Sequence, residues 1–421
     1  MPVSIHGPIP AKAVCVPGSV PVDISRLVSL VDHRLFQRLR GRKQLGVNHL
    51  VFPGAVHTRF EHAIGVLGLT ERVCRILSID GERRHLLCGY ALLHDIGHGP
   101  FSHQIEPIAG GDHKLRGLAC LTEMRAALAD SGLDPDAMAE LFEERNPWRA
   151  LISDRNLGTD KLDYLRRDAL HIGFSGMPEI ETLMHYSSFD DGVWAVEEKF
   201  IEDMKRIQKF YSYLHQHGYL NKTALSVQRV FQRAVQERLR ADDRPSVRLW
   251  EMTDAELEVW LDDGASPLAR QLYRSLFSRE FHRGILVIKP EGYGFVERDH
   301  RNAVRVLEWS RDRIWRFSQR HSDCTRLREL EDELCVALGA APGEVLFAAM
   351  PYFTKLVPRD VRVFSKSGGR SYWLFKNDKD HFRSLEGDYL RTFAIRIITV
   401  PRLRDKLAAK HGAITDFLAD R

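Results

Sequence analysis

The chain has 421 residues, 44% of them hydrophobic, and sets 61 basic side chains against 57 acidic ones for a formal net charge of +4. That length supports a core large enough for two lobes, and the near balance of charge permits an anionic ligand without demanding nucleic acid. The sequence has no apolar run approaching the about 18 residues of a membrane span, which argues against a membrane protein. The opening MPVSIHGPIPAKAV carries no charged-then-apolar leader, and the six cysteines form no CxxC pair. A cytoplasmic protein with reduced thiols is the expectation.

Helical periodicity dominates the first two thirds of the chain. SRLVSLVDHRLFQRLRGRKQLG (25–46), HTRFEHAIGVLGL (57–69), RHLLCGYALLHDIG (84–97), TEMRAALADSG (122–132) and SVQRVFQRAVQERLRA (226–241) all place apolar residues three and four apart. Residues 244–279 continue the pattern, with Thr253 as an N-cap before DAELEVWL. From about residue 282 the texture changes. RGILVIKP, YGFVER, EVLFAAMPYF, DVRVFSK and RSYWLFK are short β-rich runs, separated by charged helices such as CTRLRELEDELCVALG. The reading is a mainly α fold, with a multi-helix core over 1–285 and a smaller C-terminal α+β lobe over 286–421 for oligomerisation or regulation. No low-complexity linker separates them, so the lobes are expected to pack together.

The chemistry concentrates in the helical part. His62 lies near the start of one helix, and the next helix ends in LLHDIGHGPFSH, with His94 and Asp95 in its last turn and His98 and His103 just beyond. Downstream, ISDRNLGTDKLDYLRRD supplies Asp160. Any one of these histidines alone reads as a hydrogen-bonded, half-buried side chain, and a bare HD dipeptide is weak evidence. Two imidazoles and two carboxylates from separate helices are more specific. They suit an octahedral nitrogen and oxygen site for iron, manganese, zinc, cobalt or nickel with open positions, and not a closed structural zinc site.

Three blocks, FQRLRGRKQLGVNHLVFPGAVHTRFEHAIGVLGL, LLHDIGHGPFSH and TDKLDYLRRD, resemble in order and spacing those of the HD-domain phosphohydrolase superfamily. More narrowly, they resemble its deoxynucleoside triphosphate triphosphohydrolase branch. The likeness covers roughly residues 1–290, and no sterile-alpha-motif domain fits in this sequence. The resemblance implies that the helical part is an HD-domain core with His62, His94, Asp95 and Asp160 as metal ligands, and His98, His113 and Asp168 as catalytic residues. It implies a substrate site of Gln44, Leu45, Arg59, Lys161, Tyr164, His215 and Tyr219, and the block LHQHGYLNK (214–222) agrees independently of the HD motif. The implied reaction is attack at the α-phosphorus, assisted by a divalent metal, with magnesium on the substrate phosphates. His98 or His113 would protonate the departing oxygen, and the products would be deoxynucleoside and triphosphate. Packing of Tyr219, Gln44 and Leu45 against C2 of the sugar would exclude ribonucleotides. The resemblance further implies a homo-oligomer, dimeric or tetrameric, with an activating nucleotide held at Asp32, Gln37 and Arg40. Gln37 and Arg40 also fit the polar face of a helix whose other face is core.

Two positions depart from the branch. Lys114 stands after His113 where a glutamate is usual, leaving Glu106 or Asp112 to serve as the acid. Tyr211 replaces a phosphate-gripping arginine one turn before His215, leaving Arg206 or Lys209 to reach instead. Both departures keep other readings open: a phosphatase on lower nucleotides, and a phosphodiesterase or exonuclease on single-stranded nucleic acid using RVFSKSGGRSYWLFK and RDRIWRFSQRH as a stacking and phosphate surface. A non-catalytic nucleotide sensor is the third, and the complete ligand set argues against it.

Overall fold

The computed structural model describes residues 12–242, 246–293, 304–349, 357–367, 369–419 and 421. The fold is mainly α. Its principal helices are α1 (Arg59–Ile76), α2 (Gly81–Leu93), α3 (His113–Glu123), α4 (Thr159–Ile172), α5 (Ile201–Leu214), α6 (Lys222–Arg240), α7 (Cys324–Leu338) and α8 (Lys379–Thr392). No described helix is long and apolar enough to cross a membrane.

Helix α1 begins with a reciprocal cap. Thr58 accepts from the Glu61 backbone while the Glu61 carboxylate accepts from the Thr58 backbone. Thr253 forms the same box with Glu256, as the sequence pattern predicts. In the middle of α1, a Cβ added at Gly65 would stand 1.9 Å from the Arg167 guanidinium and 2.4 Å from Asp163 Oδ1. Only glycine lets α4 approach α1 closely enough to bring its carboxylates to His62.

Residues 25–46 do not form the continuous helix that their periodicity suggests. They break into short turns, Val28–Val31, Arg34–Gln37 and the 3-10 turn Arg38–Gly41. Tertiary contacts override propensity here. The His33 ring accepts from the Leu35 amide, and Arg42, wholly buried, donates to the backbone carbonyls of His98, Trp250 and Met252.

Strands β1 (Ala13–Val14) and β2 (Val22–Asp23) make a small ribbon, and two four-stranded sheets follow. One contains β3 (Ser187–Asp190), β4 (Val193–Glu197), β8 (Arg362–Phe364) and β9 (Ser371–Trp373); the other runs β6 (Arg305–Trp309), β5 (Arg283–Pro290), β10 (Ile395–Thr399), β7 (Val345–Ala349). Of the β-rich runs after residue 282, RGILVIKP, EVLFAA, DVRVFSK and the start of RSYWLFK contribute strands, whereas Leu374–Asn377 turns into a short helix; YGFVER beyond Tyr293 and the MPYF of EVLFAAMPYF lie outside the described residues.

In the first sheet β4 pairs in parallel with β8, so a hairpin from the helical part joins strands from beyond residue 360. The apolar cores divide accordingly. One runs from Val16 to Leu214 and takes in Val361. The other unites Val47, Phe101 and Ile105 with α6, the helices after it, β5, β7, β10 and α7. The expected boundary at 285 thus falls inside β5, within this second core. Arg229 and Arg233 of α6 grip the buried Glu331 of α7, Arg229 through both its Nε (2.7 Å) and Nη2 (2.6 Å), and Glu331 also accepts from the Phe347 amide of β7.

Candidate metal centre and phosphate cleft

The donor atoms of His62, His94 and Asp160 converge within 4.8 Å of one another. His62 Nε2 is 3.1 Å from Asp160 Oδ1 and 3.8 Å from Asp95 Oδ2, and His94 Nε2 is 3.5 Å from each of Asp160 Oδ1 and Asp95 Oδ1. Each ring is oriented through its other nitrogen. His62 Nδ1 faces Asp163 Oδ2 at 2.9 Å, and His94 Nδ1 faces the Ala91 carbonyl at 2.8 Å. Both Nε2 atoms are thereby turned toward the carboxylates, and His94 Nε2 is buried without a hydrogen-bond partner.

Electrostatics point the same way. Burial pulls the His62 imidazole down, but Asp160 and Asp163 outweigh it and carry it up to about 10. His94 rises for the same reason, with Asp95 and Asp160 overcoming burial. Asp95 and Asp160 are held below the usual carboxylate range against burial, by Arg59 and the histidines around Asp95 and by His62 and His94 around Asp160. The pocket demands positive charge, and its donor set fits a divalent transition metal.

Asp163 is a residue the sequence reading missed. Besides orienting His62 it takes Arg167 on both oxygens, at 2.9 Å each, and Arg167 is tied to Pro17 O and Ser19 Oγ. Its signal was the spacing of three between Asp160 and Asp163 in TDKLDYLRRD, which puts both carboxylates on one face of α4.

A second constellation adjoins the first. The ligand atoms of His98, His103, Glu106 and His113 also lie within 4.8 Å of one another. Glu106 Oε1 is 3.0 Å from His113 Nδ1 and 3.2 Å from His98 Nδ1, and its Oε2 is 3.1 Å from His103 Nδ1. The His98 and His113 rings stack at 4.0 Å. A Cβ at Gly97 would lie 1.9 Å from the His113 carbonyl, so glycine there is what lets α3 press against the loop. Phe101 and Ser102 keep that loop in the left-handed region, at φ 52° and 57°, and are pinned by Asp254 and by the Lys43 carbonyl. His98 Nε2 is 3.3 Å from Asp95 Oδ1, which links the two constellations. Burial and Arg59 push His98 down to about 3.

Of the two acids expected to replace a glutamate at 114, Glu106 is the one that meets His113. Asp112 instead caps α3, accepting from the Lys114 amide at 2.6 Å, and Lys114 itself pairs with Glu144. Arg59 is buried and donates to Asp95 and to Ser102 Oγ. Gln44 and Leu45 sit beside the start of α1, where Gln44 N donates to His57 O, and Gln44 Oε1 is buried without a partner.

Beside Asp160 opens a cleft of about 470 Å³ lined by Lys161, Tyr164, Tyr211, Arg155 and Arg359 among others. Lys161 Nζ lies 3.5 Å from the centre of the Tyr211 ring, and burial lowers it to about 7. Tyr211 packs against His215 with ring centres 3.9 Å apart and the planes tilted by 40°, and His215 meets Tyr219 at 4.7 Å. Tyr219 donates to Asp168, whose other oxygen is 2.7 Å from His57 Nε2. With both oxygens engaged, Asp168 anchors Tyr219. Neither Arg206 nor Lys209 is among the residues lining this cleft; Arg206 pairs with Asp203, and Arg155 and Arg359 supply the arginines instead. At the other candidate site Asp32 pairs with Lys12, while Arg40 donates to Gln37 and lies over Phe60.

Comparison with known proteins places the stretch that carries His62, His94, Asp95 and Asp160 within one domain match. Residues 59–167 match the HD domain model. An uncharacterized protein of Methanocaldococcus jannaschii is 28% identical over 60% of this chain and 56% of its own length. The deoxynucleoside triphosphate triphosphohydrolase SAMHD1 homolog of Dictyostelium discoideum is 31% identical over 48% of this chain and 44% of its own length. The chain thus spans about half the length of these relatives. A phosphohydrolase structure from Bacteroides thetaiotaomicron superposes with a TM-score of 0.68 over 92% of this chain and all of that one, at 19% identity, a likeness of fold.

Proposed function

We propose that this HD-domain chain is a metal-dependent phosphohydrolase that cleaves deoxynucleoside triphosphates at the α-phosphorus, giving deoxynucleoside and triphosphate. The observation that carries the reading is the convergence of His62, His94 and Asp160, with His94 Nε2 buried and unpartnered, at the edge of a cleft bearing Lys161, Arg155 and Arg359. A divalent metal held by His62, His94, Asp95 and Asp160 would supply Lewis-acid polarisation of a phosphoryl oxygen.

The remaining roles belong to the chain's own side chains. Arg59 and Lys161 neutralise charge on the phosphates, arginine by its fork and lysine as a point charge. Glu106 accepts at His113 Nδ1, which leaves Nε2 to deliver a proton to the departing ester oxygen. Asp168 fixes the Tyr219 ring for the sugar, with Tyr164, His215, Gln44 and Leu45 completing the nucleoside pocket. A dimer or tetramer, and an activating nucleotide at Asp32, Gln37 and Arg40, belong to the same proposal.

A second reading, phosphodiester cleavage in single-stranded nucleic acid, draws on one observation. The half-exposed Trp315 sits with Arg316, Arg320, Arg326 and Arg421 around an open cavity of about 610 Å³, a surface suited to stacking and phosphate contact. Incubation with each dNTP and with end-labelled oligonucleotides separates the two. Release of tripolyphosphate supports the first, and shortening of the oligonucleotide supports the second.

A further inference from the structure

We infer that Arg155 and Arg359 form the polyphosphate grip of the cleft, taking the outer phosphates of a nucleotide whose α-phosphate lies toward Asp160. This rests on the reading above and adds to it the residues that tell a triphosphate from a monophosphate.

The two arginines lie far apart in sequence and line the same cleft as Asp160 and Lys161. Both are exposed, and neither takes part in an ion pair among the described residues. Other arginines such as Arg145, Arg149, Arg274 and Arg383 each hold a carboxylate. They bring two guanidinium cations to the cleft beside Lys161, together with the carboxylates of Asp154 and Asp160. Asp154 is already spent on the amides of Asn156 and Leu157, at 2.8 Å each. The two guanidiniums, held by no carboxylate among the described residues, are left to meet a polyphosphate chain in the cleft.

Their backbones are fixed while their side chains are not. Asn156 Nδ2 donates to the carbonyls of both Arg359 and Asp360, at 3.0 Å each, and Gln208 Nε2 donates to the Arg359 carbonyl at 3.0 Å and to Asn156 Oδ1 at 3.1 Å. Gln208 Oε1 in turn meets His381 Nε2 at 2.8 Å, and Asn156, Gln208 and His381 are all buried. Two buried amide side chains, one of them braced by His381, thus hold the backbone of an arginine whose guanidinium they do not touch. On the facing loop, Lys161 Nζ donates to the Arg155 carbonyl. Fixed backbone with free cationic side chains is the arrangement that presents a grip to a ligand at low ordering cost. Asn156, Gln208 and His381 are accordingly positioning residues.

The test uses the full chain and inorganic tripolyphosphate as the probe, with calorimetric titration of the parent, Arg155→Ala, Arg359→Ala, the double variant and Arg359→Lys. Each single alanine variant is expected to weaken tripolyphosphate binding about 10-fold and the double variant about 10²-fold, with Arg359→Lys between parent and alanine and orthophosphate binding little changed. The KM for dNTP is expected to rise in the same order. Because the side chains are exposed and the loops are held through carbonyls, melting temperatures should stay with the parent, which separates lost grip from lost fold. Equal tripolyphosphate affinity in parent and double variant overturns the inference. If the parent hydrolyses dNTPs and the double variant keeps the parent's affinity and KM, the grip is wrong while the site reading stands. If tripolyphosphate binding depends on the arginines and the parent cleaves no dNTP, the grip stands and the substrate reading falls.

Discussion

Glu106 Oε1 lies 3.0 Å from His113 Nδ1, and through its two oxygens the same carboxylate also meets His98 and His103. One acid thus orients His103 and His113 and lies beside His98 at the edge of the candidate metal pocket, and the imidazole contacts draw it well below the usual carboxylate range despite burial. Glu106→Gln keeps the shape and removes the charge. Its kcat is expected to fall about 10²-fold or more, with a smaller change in KM, in steady-state assays of phosphate-product release. Activity equal to the parent would remove Glu106 from the account.

Asp163 orients His62, one of the proposed metal ligands. Asp163→Asn weakens the hold on Nδ1 and breaks one side of the Arg167 fork, so metal affinity is expected to drop by about 10- to 100-fold. Competition titration with a chromophoric chelator measures it. Circular dichroism on the same samples shows whether the fold is kept.

Glu331 is the hinge of a buried ionic cluster. Glu331→Ala strands Arg229 and Arg233 in the interior and leaves the Phe347 amide without its acceptor, a loss expected to cost about 3–5 kcal/mol in denaturant unfolding. Because α6, α7 and β7 share one core, the transition should shift as a whole.

His282 contributes to the acid slope of the stability. It is buried, its Nε2 is 3.0 Å from the Gly343 carbonyl, and burial lowers its pKa. The fold therefore favours the neutral ring. Its contribution is complete above the unfolded pKa of about 6.5 and is lost as pH falls below it, by up to about 1.4 kcal/mol per pH unit. His282→Gln should flatten the dependence of unfolding free energy on pH between neutrality and pH 5. An unchanged slope would exclude His282 as a source.

The residues of the metal pocket were legible because they are short-range signals. His94 and Asp95 follow an apolar helix and are closed off by glycines, and His62 and Asp160 each stand near the start of another. The capping box at Thr58 and Glu61, a T-x-x-E signal that the sequence reading passed over, accounts for part of the polar start of α1. What the sequence hides is long-range. Nothing local in Arg359 says that Asn156 and Gln208, roughly 150 to 200 positions earlier, hold its carbonyl. The hairpin β3–β4 pairs with strands over 160 residues later. The helix expected over 25–46 failed for the same reason, since Arg42 answers to carbonyls near residue 250.

The central claim is a metal-dependent attack at the α-phosphorus of a dNTP. It is tested most directly by ³¹P NMR of the products from each dNTP with manganese, cobalt or iron, using Asp160→Ala as the control. The account predicts tripolyphosphate with free deoxynucleoside from the parent, and no product from Asp160→Ala. Orthophosphate or pyrophosphate as the first product, or an Asp160→Ala variant as fast as the parent, would contradict it.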